Sequence, residues 1–168
     1  RQRQMCIRDR NRCIMTLVCG RVNFFSGPHL VFKYWLRGKF MRIIIVGCGK
    51  VGSSIASELN LEGHEISVVD INHGAVDKLA NSLDVLGIEG NGATYDVLIE
   101  AGAEYADLLI AATARDEINL YSCLMAKAAG VTHTIARVRN PEYTNDLYRI
   151  KEHLGLSMAC LLYTSDAA

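Results

Sequence analysis

The stretch Arg42-Ile43-Ile44-Ile45-Val46-Gly47-Cys48-Gly49-Lys50-Val51-Gly52 decides the fold that this sequence predicts. Its Ile and Val residues follow one another without polar alternation, as in a parallel strand that is buried on both faces. Three glycines with G-x-G-x-x-G spacing come next, and a helix follows with Val51, Ile55 and Leu59 on one face. A buried strand, a glycine turn and a helix in this order are typical of the βαβ unit that binds dinucleotides.

Strands and helices alternate through the rest of residues 41–158, which predicts an α/β fold: a Rossmann-like, doubly wound parallel sheet with helices on both faces. The further predicted strands are Glu65–Asp70, Asp84–Glu89, Ala106–Ala112 and His133–Val138. The further predicted helices are Gly74–Asn81, Thr94–Ala101, Asp116–Ala129 and Glu142–His153. In the longest helix, the apolar stripe expected to face the sheet consists of Ile118, Tyr121, Leu124, Met125 and Ala128.

Composition and charge indicate a folded domain whose ends differ in character from its middle. Half of the 168 residues are hydrophobic and 21% are charged, which excludes a disordered chain. Residues 1–40 contain nine Lys or Arg and one acid, a net charge of +8. Residues 41–168 contain nine Lys or Arg and seventeen acids, a net charge of −8, so the two parts sum to zero. The six cysteines have no regular spacing, which favours a reducing compartment over a disulfide framework.

The end segments predict the limits of the domain. Residues 5–10 and 162–168 resemble peptides translated from sequencing-adapter DNA, and Met41 begins a strand that needs no residue before it. We therefore predict a non-native leader at residues 1–40, a domain at residues 41–158 that is truncated at its C-terminal end, and a non-native tail at residues 159–168. A basic arm on a membrane surface is the alternative for the leader, in which no stretch is apolar enough to span a membrane.

The glycine loop, residues 47–52, predicts a phosphate site. Gly47 permits a tight turn, Gly49 lets the backbone approach a pyrophosphate, and Gly52 allows the helix to pack closely. The helix N-terminus adds free N–H groups and a partial positive charge.

An acid at the end of the second strand completes the predicted nucleotide site. Asp70 stands 18 residues after Gly52, where a carboxylate accepts hydrogen bonds from both ribose hydroxyls. It would repel a 2′-phosphate, and neither Ile71 nor Asn72 offers a cation, so we expect NAD rather than NADP.

Polar residues near the other strand ends extend the candidate site, because ligands of open parallel sheets bind at the carboxyl ends of the strands. Lys50 can reach a bound phosphate or a neighbouring subunit's ligand, or it is a solvated surface lysine. Thr113 can bind a phosphate or the nicotinamide-side ribose, or it caps a helix. Arg137 is a phosphate clamp or a surface ion-pair partner, and Arg139 on the same strand face could exchange roles with it. Asn91 also follows a strand.

Two kinds of chemistry are not predicted. The histidines show no ligand spacing, and Cys48 and Cys123 form no paired motif, so we expect no metal site. Tyr121 has no lysine four residues on, and no room remains for a substrate domain, so we expect no catalytic residue and no enzyme. The acids Asp116 and Glu117, with Asn119, are interpreted as favourable residues for a helix N-terminus.

Five ordered motifs resemble the TrkA family of cytoplasmic regulators of potassium uptake. They are residues 41–52, Gly90-Asn91-Gly92, residues 100–103, Ala112-Thr113-x-x-Asp116-Glu117-x-Asn119, and residues 135–143. The resemblance covers nearly all of residues 41–158 and implies the N-terminal domain of regulators of potassium conductance (RCK, or KTN, domains).

The resemblance implies a ligand, a site and a partner. The ligand is NAD(H) or ATP/ADP, held by Gly47, Cys48, Gly49, Lys50, Val51, Gly52, Asp70, Ile71, Asn91, Thr113, Glu117 and Arg137. The partner is a membrane potassium channel subunit of the Trk/Ktr type, beneath which the protein assembles as dimers or rings. We therefore expect a cytoplasmic protein at the inner face of the plasma membrane, peripheral to it through the channel, with no nucleic-acid partner.

Two departures from the family pattern concern the ligand. Asn91 stands where family members often have Asp, and Lys50 replaces a common Arg or Gln. A fragment of an NAD-dependent dehydrogenase is the alternative to a nucleotide-gated regulator of transport.

Overall fold

The computed structural model describes residues 14–18, 40–140, 142–143, 146–147 and 156–163. The strands in this part of the chain are Ile14–Val18 (β1), Arg42–Val46 (β2), Glu65–Asp70 (β3), Leu86–Glu89 (β4), Leu108–Ala111 (β5), His133–Val138 (β6) and Met158–Tyr163 (β7). The helices are Lys50–Leu61 (α1), His73–Ser82 (α2), Tyr95–Glu100 (α3) and Asp116–Ala129 (α4), with a 3₁₀ turn at Ala103–Tyr105. The predicted helix at Glu142–His153 lies for the most part outside the described residues.

The described strands form one sheet with the order β1-β7-β6-β5-β2-β3-β4. Strands β2 to β7 pair in parallel, and β1 pairs antiparallel with β7. The predicted α/β fold class is therefore confirmed. Strands β2, β3 and β6 have the predicted bounds, whereas β4 and β5 are shorter, because β4 pairs with β3 only from Leu86 onward and β5 begins to pair at Leu108.

The sheet has a hydrophobic core on each face, as its continuous apolar strands predict. Ile43 and Ile45 of β2 pack on the face that α1 and α2 cover. Ile44 and Val46 point the other way and pack with α3 and α4. Because successive side chains of a strand alternate between faces, one strand serves both cores. All four of these side chains are buried.

Helix α4 packs through a different face from the one predicted. Its buried residues are Asp116, Asn119, Ser122, Cys123, Ala126 and Ala129. Of the predicted stripe, Met125 is half-buried against the core, whereas Tyr121 is 50% exposed and Ala128 is exposed as well. The prediction was wrong because small side chains let the helix approach the sheet closely, while hydrophobicity alone favours the larger residues. Helix α1 shows the same shift, with Gly52 and Ala56 buried and Val51 and Ile55 only half-buried.

The connections place a crevice at the centre of the sheet. Strand β2 lies between β3 and β5, and the chain runs from β2 to β3 and β4 before it returns to β5. The loops that leave β2 and β5 therefore diverge to opposite faces, which creates the ligand crevice of doubly wound sheets at their carboxyl ends.

Two further observations concern the ends of the chain and the membrane. Strand β1 lies within the predicted leader and β7 crosses the predicted limit at residue 158, and the domain limits remain a prediction. In the part of the chain that the structure describes, no helix is both long and apolar enough to cross a membrane.

Candidate nucleotide-binding site

The glycine loop is tightly folded, and close contacts require two of its glycines. Gly47 has a φ of +102°, and a Cβ added to it would lie 2.9 Å from the backbone nitrogen of Thr113. A Cβ on Gly52 would lie 1.8 Å from the carbonyl oxygen of Gly47. The turn and the start of α1 therefore pack backbone against backbone, beside the end of β5.

The outer face of the loop is open. Gly49 is the N-cap of α1, with φ −67° and ψ −175°, and a Cβ added to it would meet no atom of the described residues within 4 Å. The first turn of α1 contains no acid, so its free N–H groups and partial positive charge are not neutralised by a side chain of that turn. Lys50 is exposed at the start of this helix.

Each carboxylate oxygen of Asp70 accepts a hydrogen bond from a backbone N–H group. Its Oδ2 accepts a hydrogen bond from the Cys48 N–H at 2.6 Å, and its Oδ1 accepts one from the Asn72 N–H at 2.9 Å. The carboxylate thus holds the glycine loop against the end of β3. Each oxygen has a second lone pair, which leaves acceptor capacity for ribose hydroxyls.

Two predicted residues flank Asp70 on the outer part of the sheet. Ile71 is 75% exposed, and Asn91 is exposed, with its Oδ1 accepting a hydrogen bond from the Ala93 N–H at 3.0 Å. The Gly90 N–H donates to the carbonyl oxygen of Asp70 at 2.9 Å, so the turn after β4 lies directly beside the end of β3.

Asn119 joins the ends of β5 and β6. Its Oδ1 accepts from the backbone N–H of Thr113 at 2.8 Å and from the Thr113 hydroxyl at 2.7 Å. Its Nδ2 donates to the carbonyl oxygens of Arg137 at 2.8 Å and Thr113 at 3.3 Å. Nη1 of Arg137 donates to the Thr113 carbonyl as well, at 3.3 Å. The N-cap of α4 is Arg115, without a side-chain cap, so Thr113 is not that cap.

Asp116, one turn earlier in α4, binds the backbone that follows β6. It is buried, and its Oδ2 accepts hydrogen bonds from the N–H groups of Arg139 and Asn140, both at 2.8 Å. The guanidinium of Arg139 lies 3.7 Å from Oδ1 of Asp116 and also contacts the Ala114 carbonyl. Arg139 is therefore held by Asp116, while Arg137 lies beside Thr113.

Glu117 and Cys48 have shifted pKa values. The pKa of the exposed Glu117 is lowered by a hydrogen bond from its own backbone N–H and by one from the Tyr143 hydroxyl at 2.8 Å. The same contact raises the pKa of Tyr143. Burial, and then the negative charge of Asp70, raises the pKa of the Cys48 thiol to about 11, so this thiol is protonated at neutral pH.

The predicted site residues lie at the carboxyl-terminal edge of the parallel strands, in two groups. The glycine loop contacts Asp70 and Thr113, and a second group joins Thr113 to Arg137. Asn119 and Tyr143 were not predicted as site residues. The spacing of Asp116 and Asn119 in α4, with Thr113 three residues before the helix, could have indicated a polar cluster at the strand ends. Within the described residues, no group of three or more His, Cys, Asp or Glu could hold a metal ion.

The fold and the glycine loop define the class of this chain, the Rossmann-like doubly wound α/β domains. The family described as TrkA-N domain matches residues 43–157, and the chain therefore belongs to the TrkA-N domain family.

Two relatives carry the name of a potassium uptake protein. The Trk system potassium uptake protein TrkA homolog of Archaeoglobus fulgidus is 42% identical over 113 residues, which are 67% of this chain and 25% of that protein. The Trk system potassium uptake protein TrkA of Azorhizobium caulinodans is 37% identical over 110 residues, which are 65% and 24%. The chain thus spans about a quarter of the length of these relatives.

Solved structures share the fold at low identity. The TrkA-N domain of the Escherichia coli inner membrane protein ybaL has a TM-score of 0.62 at 21% identity, covering 75% of this chain and 89% of that one. The GsuK channel bound to NAD has a TM-score of 0.60 at 21% identity, covering 73% and 22%. The Shewanella denitrificans Kef CTD in its AMP-bound form has a TM-score of 0.56 at 23% identity, covering 66% and 67%.

Proposed function

We propose that this domain binds NAD(H) or an adenine nucleotide and thereby regulates a potassium transport channel of the Trk/Ktr type. The glycine loop holds the phosphates, Asp70 holds the adenosine ribose, and Thr113, Glu117 and Arg137 contact the distal part of the ligand. Ile71 and Asn91 lie near the adenine. In this proposal the domain is a regulatory subunit or part of one, and it has no catalytic residue.

One observation supports the binding site above all others. The Cys48 N–H bonds to Asp70 while Gly49 and the first turn of α1 remain open and free of acids. The Cys48–Asp70 contact therefore brings the carboxylate that would bind the ribose hydroxyls beside the loop that would bind the phosphate of the same nucleotide. The carboxylate of Asp70 disfavours a 2′-phosphate, which supports NAD over NADP.

The regulatory role is supported by relatives and neighbours. The relatives are named as potassium uptake proteins, and one structural neighbour is a channel bound to NAD. Regulation of a channel from the cytoplasm requires that nucleotides bind two assembly states with unequal affinity, because equal affinity shifts no equilibrium. We propose that these states are two arrangements of a homo-oligomer, dimer or ring, at the inner face of the membrane.

Calorimetric titration of the chain with NADH, NAD, ATP, ADP and NADPH tests the proposal. We expect saturable binding of NADH, NAD or the adenine nucleotides, and weaker binding of NADPH than of NADH. Light scattering with and without ligand tests the assembly. Absence of binding for every nucleotide would refute the proposed site.

The same preparation tests whether the domain is an enzyme. We expect the nicotinamide absorbance of NADH to stay constant with a panel of carbonyl substrates, since no general acid is proposed. A steady loss that depends on one substrate would favour the alternative, a fragment of an NAD-dependent dehydrogenase.

A further inference from the structure

We propose that Asn119 makes the Thr113 hydroxyl a hydrogen-bond acceptor toward the crevice, and that this selects ligands with a second ribose over ligands with only further phosphates. The inference rests on the proposed nucleotide site. It assigns the distal half of that site to a dinucleotide or a similar ribose-bearing diphosphate.

The orientation of the Asn119 amide is fixed by its partners. The Thr113 backbone N–H can only donate, so the atom 2.8 Å from it is the amide oxygen. The Nδ2 faces two carbonyl oxygens, those of Thr113 and Arg137, which can only accept. The side chain is 0% exposed, and all four of its hydrogen-bonding positions are used inside the protein.

The direction of the Thr113 proton follows from this orientation. The hydroxyl oxygen lies 2.7 Å from the Asn119 oxygen, and only the hydroxyl has a hydrogen to place between them. Its other acceptor is the carbonyl oxygen of Arg115, which lies farther away at 3.2 Å. In either arrangement the proton stays within the protein. The Arg115 N–H donates to one lone pair at 3.3 Å, and the second lone pair is left for a ligand.

The chemistry of the ligand decides whether it can use that lone pair. A ribose hydroxyl can donate to it, whereas the oxygens of an ionised phosphate can only accept and would be repelled. Thr113 lies directly beside the turn at Gly47, where an added Cβ would be 2.9 Å from its nitrogen. The group that follows the pyrophosphate therefore meets an acceptor. In ADP-ribose and NAD this group is a ribose, and in ATP it is a phosphate.

Calorimetric titration of the chain with ADP and with ADP-ribose tests this contact, because ADP-ribose carries a second ribose where ADP ends in a phosphate. ADP has one more ionisable phosphate oxygen, and that charge favours ADP at a helix N-terminus, so phosphate charge cannot produce a preference for ADP-ribose. We expect wild type to bind ADP-ribose about tenfold more tightly than ADP, as one hydrogen bond allows. Thr113→Val removes the acceptor and should bring the ratio to about one, whereas Thr113→Ser should keep it. Asn119→Ala removes the nearer of the two internal acceptors and leaves the Arg115 carbonyl at 3.2 Å, so the preference should fall without being abolished.

Ser122→Ala is the matched control. Ser122 is buried on the same face of α4, one turn after Asn119, and its hydroxyl has no hydrogen-bond partner among the residues that the structure describes, so the ratio should stay at the wild-type value. If Asn119→Ala does not fold, the comparison of Thr113→Val with Thr113→Ser tests the inference. A ratio near one in wild type, or an unchanged ratio in Thr113→Val, would overturn the inference while ADP binding leaves the proposed site intact. Failure of both ligands to bind would instead refute the proposed site.

Discussion

Alanine substitutions at two glycines of the loop separate its role in binding from its role in folding. Gly49 has an ordinary φ of −67° and open space around its Cβ position, so Gly49→Ala should leave the fold intact. Alanine restricts the unfolded chain, which favours folding by about 0.4–1 kcal/mol, but it is a poorer N-cap than glycine by a similar amount, so the free energy of unfolding should stay within about 1 kcal/mol of wild type. A methyl group in that space would hold a phosphate away from the first turn of α1.

Gly52→Ala should have the opposite effect on stability. Its Cβ would lie 1.8 Å from the Gly47 carbonyl oxygen, which is a main-chain atom, so no side-chain rotation can relieve the clash. The start of α1 must then move by more than an ångström. We expect a loss of about 1–3 kcal/mol, the range for overpacked sites.

Urea denaturation and calorimetric titration with NADH measure the two effects separately. We expect the free energy of unfolding of Gly49→Ala to lie within about 1 kcal/mol of wild type, and its NADH affinity to fall at least about tenfold through the loss of one charge-assisted contact. If Gly49→Ala binds NADH with wild-type affinity, the phosphate does not approach the backbone at this loop, and the reasoning is refuted.

Three other predictions concern single groups. Asp70→Asn keeps the shape of the side chain but loses the charge and one acceptor, so binding of NADH and ATP should weaken by about 1.5–3 kcal/mol in calorimetry; affinity unchanged from wild type for both ligands would contradict the ribose contact. Because the folded pKa of Glu117 is lowered, its stabilising effect is complete above its unfolded pKa and is lost as the pH falls through the folded pKa. Glu117→Ala should lower the pKa of Tyr143, which ¹³C NMR of tyrosine measures, and an unchanged pKa of Tyr143 would show that the contact is not made. With the other five cysteines replaced by serine, the Cys48 thiol should react slowly with a disulfide reagent at neutral pH, since its pKa is raised to about 11, and rapid reaction would contradict its burial beside Asp70.

The strands and the glycine loop could be predicted from the sequence because their causes are local. A run of Ile and Val fixes a buried strand, and the bounds of β2 match the prediction. The tight turn at Gly47 also follows from the spacing of the glycines, and its positive φ agrees. The position of Asp70 at the end of β3 follows from the bounds of that strand, which were predicted as well.

The helix faces and the polar network could not be predicted in the same way. Hydrophobicity places Tyr121 and Leu124 toward the sheet, but the distance between helix and sheet selects Ser122 and Ala126 instead. The role of Asn119 depends on two strand ends that only the folded chain brings within hydrogen-bond distance. Asparagine is a poor helix former, so Asn119 lowers the intrinsic stability of α4, and its hydrogen bonds to the two strand ends explain why it stands there.

The central claim is that the nucleotide binds at the glycine loop, and a map of amide shifts tests it most directly. In ¹H–¹⁵N spectra of the chain titrated with NADH, we expect the largest shifts at the amides of Gly49, Lys50 and Val51, followed by that of Asn72 beside Asp70. A cleft of about 380 Å³ lies at the opposite edge of the sheet, lined in part by Arg42 and Glu65. Saturable shifts confined to the amides of that cleft, with the loop unchanged, would contradict the account.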